Sequence, residues 1–186
     1  MADFHSVWLM PHAADERRLS AIVDELAAEF DAPRFRPHLT LVEDNATDAA
    51  ELERLAGRLG AGITAFAAAI AGIGATDLYY RSLYARFAAA GPLLELKRRA
   101  IATIAFSPIA DFLPHVSLLY GVAEGPHKRQ AVAALEQRLA GAAIRFDRVA
   151  VVRSAKSIPI SEWAVRAAFP LGPSSSEPHG AAGSDS

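Results

Sequence analysis

The chain has 186 residues, of which 52% are hydrophobic and 22% are charged, and its formal net charge is −2. This length suits one compact domain or two small lobes that share a core. The charge disfavours binding of long nucleic acids, whose affinity needs many phosphate contacts, because the basic residues are scattered apart from Lys97, Arg98 and Arg99. One or two local cations are enough to hold a small anionic ligand.

Cysteine usage and hydropathy restrict the compartment. The sequence contains no cysteine, which excludes disulfides and thiolate chemistry and suits a reducing cytoplasm. No apolar run approaches the roughly 20 residues that a membrane-spanning helix needs. The first residues, MADFHSVWLMP, carry Asp3 and lack a basic segment, so they do not resemble a secretory signal. We therefore expect a cytoplasmic protein that does not enter the membrane.

Hydrophobic periodicity and turn residues predict the secondary structure. The predicted strands cover residues 4–10, 38–42, 63–73, 79–87, 115–120, 144–154 and 162–169. The predicted helices cover residues 14–30, 47–59, 92–104 and 127–139, with Thr47 as the N-cap of the second helix. This order predicts an α+β fold with antiparallel sheets. We expect one bilobal domain over residues 1–170 and a disordered Gly-, Ser- and Pro-rich tail over residues 171–186.

A short motif occurs twice in the chain. The sequence PHLTL at residues 37–41 recurs as PHVSL at residues 114–118. Each copy follows a predicted helix and precedes another helix and a strand, so the two halves of the chain share one order of elements. This approximate duplication predicts two lobes related by a pseudo-twofold axis, with a sheet in each and a cleft between them.

Strand geometry separates the residues of each motif into two faces. Residues i and i+2 of a strand point to the same face, about 7 Å apart. His38 and Thr40 therefore share one face, and His115 and Ser117 share the corresponding face of their strand, while the apolar residues between them enter the core. If these faces meet, the cleft between the lobes contains two imidazoles and two hydroxyls.

This set of side chains suits phosphodiester hydrolysis. One neutral imidazole can accept a proton from water while the other, protonated, donates to the leaving alcohol oxygen, and the ordinary histidine pKa near 6.5 allows both roles. The hydroxyls can donate hydrogen bonds to the non-bridging phosphate oxygens. The pattern predicts His38 and His115 as the catalytic pair and Thr40 and Ser117 as phosphate ligands. It requires no metal or cofactor, and no residue at ligand spacing supplies a third metal ligand.

The paired motif resembles the signature of the two-histidine phosphoesterases, the superfamily that includes the 2'-5' RNA ligase-like proteins. Surrounding segments resemble the plant and fungal cyclic phosphodiesterases within it: HSVWLMP, APRFRPHLTLV, LYYRSLYARF and FLPHVSLLYG. The similarity covers most of residues 4–170. It implies a bilobal α+β fold with the active site between two antiparallel sheets, no metal, and hydrolysis of a ribose cyclic phosphate.

The resemblance also implies substrates and roles. In that branch ADP-ribose 1'',2''-cyclic phosphate gives the 1''-phosphate, and nucleoside 2',3'-cyclic phosphates give the 2'-phosphate. By analogy with the family, His115 is the base for water and His38 is the acid. The residues themselves leave this assignment open.

Two aromatic residues and one cation near the motifs are further candidates. Trp8 shares a strand face with Ser6 and either stacks on a ribose or base of the substrate or is a partly buried core residue. Tyr120 matches an aromatic of the family, but it reaches the cleft only if its strand bulges or ends there, which Gly121 permits. Arg81 stands where the family has an uncharged glutamine, and we expect it to be a solvated side chain rather than a rim cation.

We expect a monomer that binds a small cyclic-phosphate nucleotide. One alternative is an enzyme that processes RNA ends by trimming or ligating 2'-5' linkages, which the near-neutral charge disfavours. Another alternative is a nucleotide-binding module without catalysis. The presence of both histidines disfavours it, because binding alone does not need two proton-transfer groups.

Overall fold

The computed structural model describes residues 4–172. The strands are β1 His5–Pro11, β2 Leu39–Asn45, β3 Phe66–Ala75, β4 Leu83–Phe87, β5 His115–Leu119, β6 Ala143–Arg153 and β7 Ala164–Pro170. The helices are α1 Ala13–Phe30, α2 Ala49–Leu59, α3 Gly91–Thr103 and α4 Pro126–Leu139. This order agrees with the predicted one, and the α+β class is confirmed.

Several element boundaries differ from the predicted ones, and two of these differences change an assignment. Helix α2 begins at Ala49, and its N-cap is Asp48, whose carboxylate accepts hydrogen bonds from the backbone N–H groups of Ala50 and Glu51. The prediction of Thr47 as N-cap was therefore wrong, and the Thr47 N–H instead donates to Asn45. Residues 79–81, predicted as the start of a strand, form a short 3-10 turn before β4.

The strands β1 to β7 pair in antiparallel fashion and belong to one sheet. The strand order is β1-β2-β5-β4-β3-β6-β7, and β6 also pairs with β1, so the sheet closes on itself. The two predicted sheets are therefore joined edge to edge. One junction is the contact of β2 with β5 at Leu39 and Val116, which we call the seam. Both residues are 0% exposed, so burial of their side chains holds this short contact together.

The predicted duplication is visible in the topology. The first half of the chain runs β1-α1-β2-α2-β3 and the second half runs β4-α3-β5-α4-β6. In each half the first strand pairs with the second, while the third strand crosses over and pairs with the first strand of the other half. Because β3 and β6 are exchanged in this way, the two halves share hydrogen bonds and one hydrophobic core.

The helices α1 to α4 pack on one face of the sheet, which leaves the other face for a cleft. In α1 the buried residues Leu19, Ile22, Val23 and Leu26 follow helical spacing. The alternate strand residues that meet the helices are fully buried in the same core: Val7, Leu9, Leu39, Leu41, Val116 and Leu118. None of the helices within residues 4–172 has the length and apolar character to cross a membrane.

Leu171 and Gly172, which the sequence analysis assigned to the tail, contact the preceding part of the chain. The Leu171 N–H donates to the carbonyl oxygen of Asp147, and the Leu171 side chain packs on Gly60. Gly172 forms bridges with Ala61 and Ile63. The Leu171 side chain therefore packs against the domain, although the sequence becomes rich in Gly and Ser from this residue onward. The remaining residues of the predicted tail, 173–186, lie outside the described residues.

Candidate active site

A cleft of about 370 Å³ opens on the sheet face opposite the helices. Its wall contains all the site residues that the sequence predicted: Trp8, His38, Thr40, His115, Ser117 and Tyr120. The seam explains how the two motifs come together. Because Leu39 pairs with Val116, the same antiparallel register places His38 opposite Ser117 and Thr40 opposite His115. Opposite residues of paired strands have Cβ atoms about 5 Å apart, which suits a shared small ligand.

The two imidazoles are held in the same way. His38 Nδ1 lies 2.7 Å from the carbonyl oxygen of Arg36, and His115 Nδ1 lies 2.7 Å from the carbonyl oxygen of Leu113. A carbonyl oxygen only accepts, so each Nδ1 carries a proton and donates it. In the neutral ring Nε2 is then the nitrogen that can take a proton from a ligand.

The prolines of the two motifs now have a physical role. Pro37 and Pro114 each stand between a histidine and the carbonyl that holds its Nδ1. A proline keeps the residue before it extended, which restricts the direction in which that residue's carbonyl points. The repeated Pro-His pair therefore encodes the orientation of the imidazole, beyond marking the start of a strand.

His38 lies in an apolar, closely packed environment. Its ring stacks on the indole of Trp8, with ring centroids 3.4 Å apart and planes inclined by 8°. The side chain is 8% exposed. Burial lowers the pKa of His38 to about 4, against the opposing effect of the Arg36 carbonyl, and the nearby charge of His115 lowers it further. His38 is therefore neutral at pH 7.

His115 lies in a more open and more charged environment. The ring of Tyr84 meets the His115 imidazole edge to face, with ring centroids 5.2 Å apart and ring planes at 68°. Burial lowers the pKa of His115, the hydrogen bond to Leu113 opposes this, and the positive charge of Arg81 lowers the pKa again. The cation therefore acts on the second histidine of the cleft.

The hydroxyls of the two motifs differ in their partners. Ser117 Oγ donates to the carbonyl oxygen of Tyr80 at 3.0 Å. Within residues 4–172 the Thr40 hydroxyl has no hydrogen-bond partner. A ligand can therefore bind the Thr40 hydroxyl directly, whereas binding through Ser117 exchanges one acceptor for another.

The condition that the sequence set for Tyr120 is met. Strand β5 ends at Leu119, and Gly121 has φ +73°, so the chain turns and Tyr120 faces the cleft. Its ring stacks on Phe35 with centroids 3.7 Å apart, and the side chain is 3% exposed. Burial raises the pKa of the Tyr120 hydroxyl. Its contact with a substrate stays a prediction.

The structure gives the Trp8 indole two protein partners, His38 and Trp163. The indole is 3% exposed, one face covers His38, and its edge contacts Trp163 at 5.9 Å between centroids. The buried alternative for Trp8 therefore describes the geometry better. Trp8 can act on a ligand through the imidazole that it covers.

Arg81 is placed differently from its expected position in solvent. It is half-buried in the cleft wall, with its guanidinium carbon 5.7 Å from the centre of the Tyr84 ring. Its Nε is buried and has no hydrogen-bond partner in the described part of the chain. A buried cationic donor without an acceptor is a suitable contact for an anionic ligand.

Sequence reasoning missed three aromatic residues of the cleft, Tyr79, Tyr80 and Trp163. A second repeat in the sequence could have directed attention to this wall. HSVW at residues 5–8 matches RSLY at residues 81–84 in position within each half, and the structure pairs Trp8 with Thr40 and Tyr84 with Ser117. The tyrosines directly precede the second copy.

No group of three or more His, Asp or Glu side chains within residues 4–172 is arranged to hold a metal ion.

Comparison with known proteins agrees with this geometry. Residues 10–157 match the family model of the 2'-5' RNA ligase superfamily. A cyclic phosphodiesterase from Arabidopsis thaliana is 24% identical over 155 residues, which are 82% of this chain and 86% of that protein. These similarities identify a phosphoesterase family and extend over most of the chain.

Solved structures show the same fold at low identity. The protein TT0787 of Thermus thermophilus has a TM-score of 0.59 at 18% identity, and the match covers 90% of this chain and 97% of that one. E. coli LigT complexed with 3'-AMP has a TM-score of 0.55 at 16% identity, covering 91% of this chain and 98% of that one. Because the family model matches residues 10–157, which are most of the chain, the chain belongs to the 2'-5' RNA ligase superfamily of two-histidine phosphoesterases.

Proposed function

We propose that the protein hydrolyses a ribose cyclic phosphodiester without a metal. The substrate is a nucleoside 2',3'-cyclic phosphate opened to the 2'-phosphate, or ADP-ribose 1'',2''-cyclic phosphate opened to the 1''-phosphate. The observation that carries this proposal is the cleft that contains two backbone-oriented imidazoles and two hydroxyls. The similarity to the cyclic phosphodiesterase of Arabidopsis thaliana supports the cyclic substrate.

The four motif residues divide the reaction between them. One imidazole Nε2 takes a proton from water as the water oxygen bonds to phosphorus. The bond from phosphorus to one ribose oxygen then breaks, and the other imidazole gives its Nε2 proton to that oxygen. Thr40 and Ser117 donate to the non-bridging oxygens, where charge grows in the transition state. Atoms and charge balance, because one proton enters the enzyme as another leaves it.

We assign the base role to His38 and the acid role to His115, the reverse of the family analogy. His38 has the pKa near 4 and stays neutral beneath Trp8, so it is in the unprotonated form that a base needs at pH 7. A bound phosphate favours the protonated form of a neighbouring imidazole. His115 is the less enclosed of the two and takes up that proton more readily. Environments that differ in this way separate acid from base in a pair of like groups.

The aromatic wall offers a place for the ribose and its base. Tyr79 is 51% exposed at the mouth of the cleft. Tyr80 stacks on Trp163 with centroids 5.9 Å apart, and both line the cleft behind it. Stacking of a sugar or base on such a surface orients the cyclic phosphate toward the histidines.

A product assay tests the proposal. Purified protein is incubated, with and without EDTA, with 2',3'-cyclic AMP, ADP-ribose cyclic phosphate and a 2'-5' dinucleotide, and the products are identified by chromatography. We expect a ring-opened monophosphate from at least one cyclic substrate at a rate that EDTA does not change. Loss of turnover in EDTA refutes the metal-free mechanism. Cleavage of the dinucleotide alone favours RNA-end processing, and binding without turnover favours a nucleotide-binding module.

A further inference from the structure

Lys128 is a buried cation that the proposed mechanism does not use. It lies in the first turn of α4, and its side chain is 1% exposed. A cation is unfavourable in a buried position and also near the N-terminus of a helix. Such a residue needs acceptors that compensate for its charge. The positions of these acceptors in the fold therefore indicate what the lysine holds.

The ammonium of Lys128 has three acceptors. Its Nζ donates to the carbonyl oxygen of Thr76 and to that of Val122, both at 2.9 Å. It also forms an ion pair with the carboxylate of Glu124 at 2.9 Å. Hydrogen bonds to a charged donor are among the stronger ones in proteins. The lysine therefore ties Thr76 firmly to a part of the chain that is distant in sequence.

The tied segments connect strands and helices beside the cleft. Residues 76–82 connect β3 with β4, and we call them the aromatic turn. Residues 120–125 connect β5 with α4. The aromatic turn contributes Tyr79, Tyr80 and Arg81 to the wall of the cleft. Lys128 thus binds the backbone of the segment that presents these side chains.

Two further hydrogen bonds join the same segments. The Gly121 N–H donates to the carbonyl oxygen of Tyr79 at 2.8 Å, and the Glu124 N–H donates to the carboxylate of Asp77 at 2.8 Å. Asp77 is exposed, so its bond joins the segments from the surface while Lys128 joins them from the interior. The two side chains therefore act on the aromatic turn from opposite sides.

The position of the aromatic turn affects several groups of the site. Ser117 Oγ donates to the carbonyl oxygen of Tyr80 at 3.0 Å. The Tyr80 ring stacks on Trp163, and the charge of Arg81 acts on His115. A displaced turn would change the stacking surface, the acceptor of Ser117 and the distance of Arg81 from His115 together.

We propose that Lys128 is a positioning residue for the active site. With Asp77 it holds the aromatic turn so that Tyr80 and Arg81 face the substrate. The inference rests on the proposed function. Lys128 does not line the cleft, and the two motif histidines are held by carbonyls outside the aromatic turn. Loss of the tie is therefore expected to weaken substrate binding more than proton transfer.

Steady-state kinetics of Lys128→Met test the proposal with the cyclic substrate that the wild type hydrolyses. Methionine keeps an unbranched side chain and removes the ammonium. We expect KM to rise about tenfold while kcat stays close to the wild-type value. Arg99→Met is the matched control, because Arg99 also donates to two backbone carbonyls, those of Leu59 and Ala61, and pairs with Glu95 outside the cleft.

Fluorescence measures the position of the aromatic turn without catalysis. The chain has two tryptophans, so Trp163 is the only indole in a Trp8→Phe background. Tyr80 stacks on Trp163 with centroids 5.9 Å apart. We expect Lys128→Met to increase the acrylamide quenching constant of Trp163, because a displaced Tyr80 uncovers the indole. Arg99→Met should leave this constant unchanged.

Asp77→Ala is the second variant, and it decides the test if circular dichroism shows that Lys128→Met does not fold. Asp77 is exposed, so removal of its carboxylate breaks the bond to Glu124 without leaving a buried charge. We expect KM and the quenching constant to change in the same direction as in Lys128→Met, by a smaller factor.

The outcomes separate this inference from the proposed function. Wild-type KM in the folded Lys128 and Asp77 variants overturns the inference, whether or not the quenching constant changes. An equal rise of KM in Arg99→Met also overturns it, because the effect would then not depend on the aromatic turn. Absence of ring opening by the wild type contradicts the proposed function itself, and the quenching constants still show whether Lys128 holds the turn.

Discussion

The two halves of the cleft have the same strand pattern and different surroundings. In the first half an aromatic on β1 pairs with Thr40 and covers His38 face to face. In the second half Tyr84 on β4 pairs with Ser117 and meets His115 at its edge, with Arg81 nearby. The backbone thus supplies the same imidazole twice. The residue on the neighbouring strand decides how deeply it is buried.

This difference shows how a duplicated motif can acquire two roles. Burial beneath a stacked indole removes water from one imidazole and lowers its pKa to about 4. The second imidazole keeps more contact with the cleft and with charged groups of both signs. In the mechanism that we propose, this separation makes His38 the base and His115 the acid.

The prediction with the largest expected effect tests whether catalysis needs both halves of the cleft. We expect His38→Ala and His115→Ala each to lower kcat for cyclic phosphate hydrolysis by about 10³-fold, because each removes one proton transfer. The measurement is initial rate under saturating substrate. His127→Ala is the control, since His127 lies on the surface, 59% exposed, and pairs with Glu29. Unchanged turnover in both motif variants would refute the assignment of the site.

The second prediction concerns stability, and it distinguishes the two halves of the cleft by how deeply each histidine is buried. Above pH 6.5 His38 is neutral in both the folded and the unfolded chain. Between pH 6.5 and about 4 the unfolded chain takes up a proton that the folded protein excludes, so the free energy of unfolding falls. We expect His38 to account for about 3 kcal/mol of the loss between pH 7 and pH 4.

Urea unfolding of the wild type and His38→Gln at both pH values measures this contribution. The variant should lose less stability on acidification than the wild type. His115→Gln is the matched comparison. We expect this substitution to reduce the acid-induced loss of stability less than His38→Gln does, because His115 is the more exposed imidazole. Equal acid losses in the wild type and His38→Gln would show that His38 is not buried as the structure places it.

The third prediction identifies the role of His115. The charge of Arg81 lowers the pKa of His115, so Arg81→Gln raises it. If His115 is the acid, the alkaline limb of the kcat/KM profile moves to higher pH, since the protonated form persists further. Lys156→Gln is the control, because Lys156 also lines the cleft but is not among the charges that shift His115. Movement of the acidic limb instead would make His115 the base and restore the family analogy.

Local periodicity explains which features the sequence could predict. Alternation along a strand is a property of neighbouring residues, so His38 and Thr40 could be assigned to one face before the fold was known. The condition on Tyr120 had the same origin, since Gly121 permits the strand to end. The prediction of the N-cap of α2 was wrong because Thr47 and Asp48 are both residue types that cap helices, and only the backbone path selects between them.

Contacts between distant strands explain what sequence reasoning missed. The stacking of Trp8 on His38 depends on the pairing of β1 with β2, and the position of Arg81 depends on the turn before β4. His38 is distant from Trp8 in the chain, and His115 is distant from Arg81.

The sequence by itself determined the four motif residues, the α+β order of elements and the duplication, because each is written in local patterns of residue type. Only the tertiary structure decided that the two sheets join at Leu39 and Val116, and that one imidazole is stacked while the other adjoins a cation. Desolvation and charge act through space. Two nearly identical motifs therefore acquire different proton affinities only once the chain is folded.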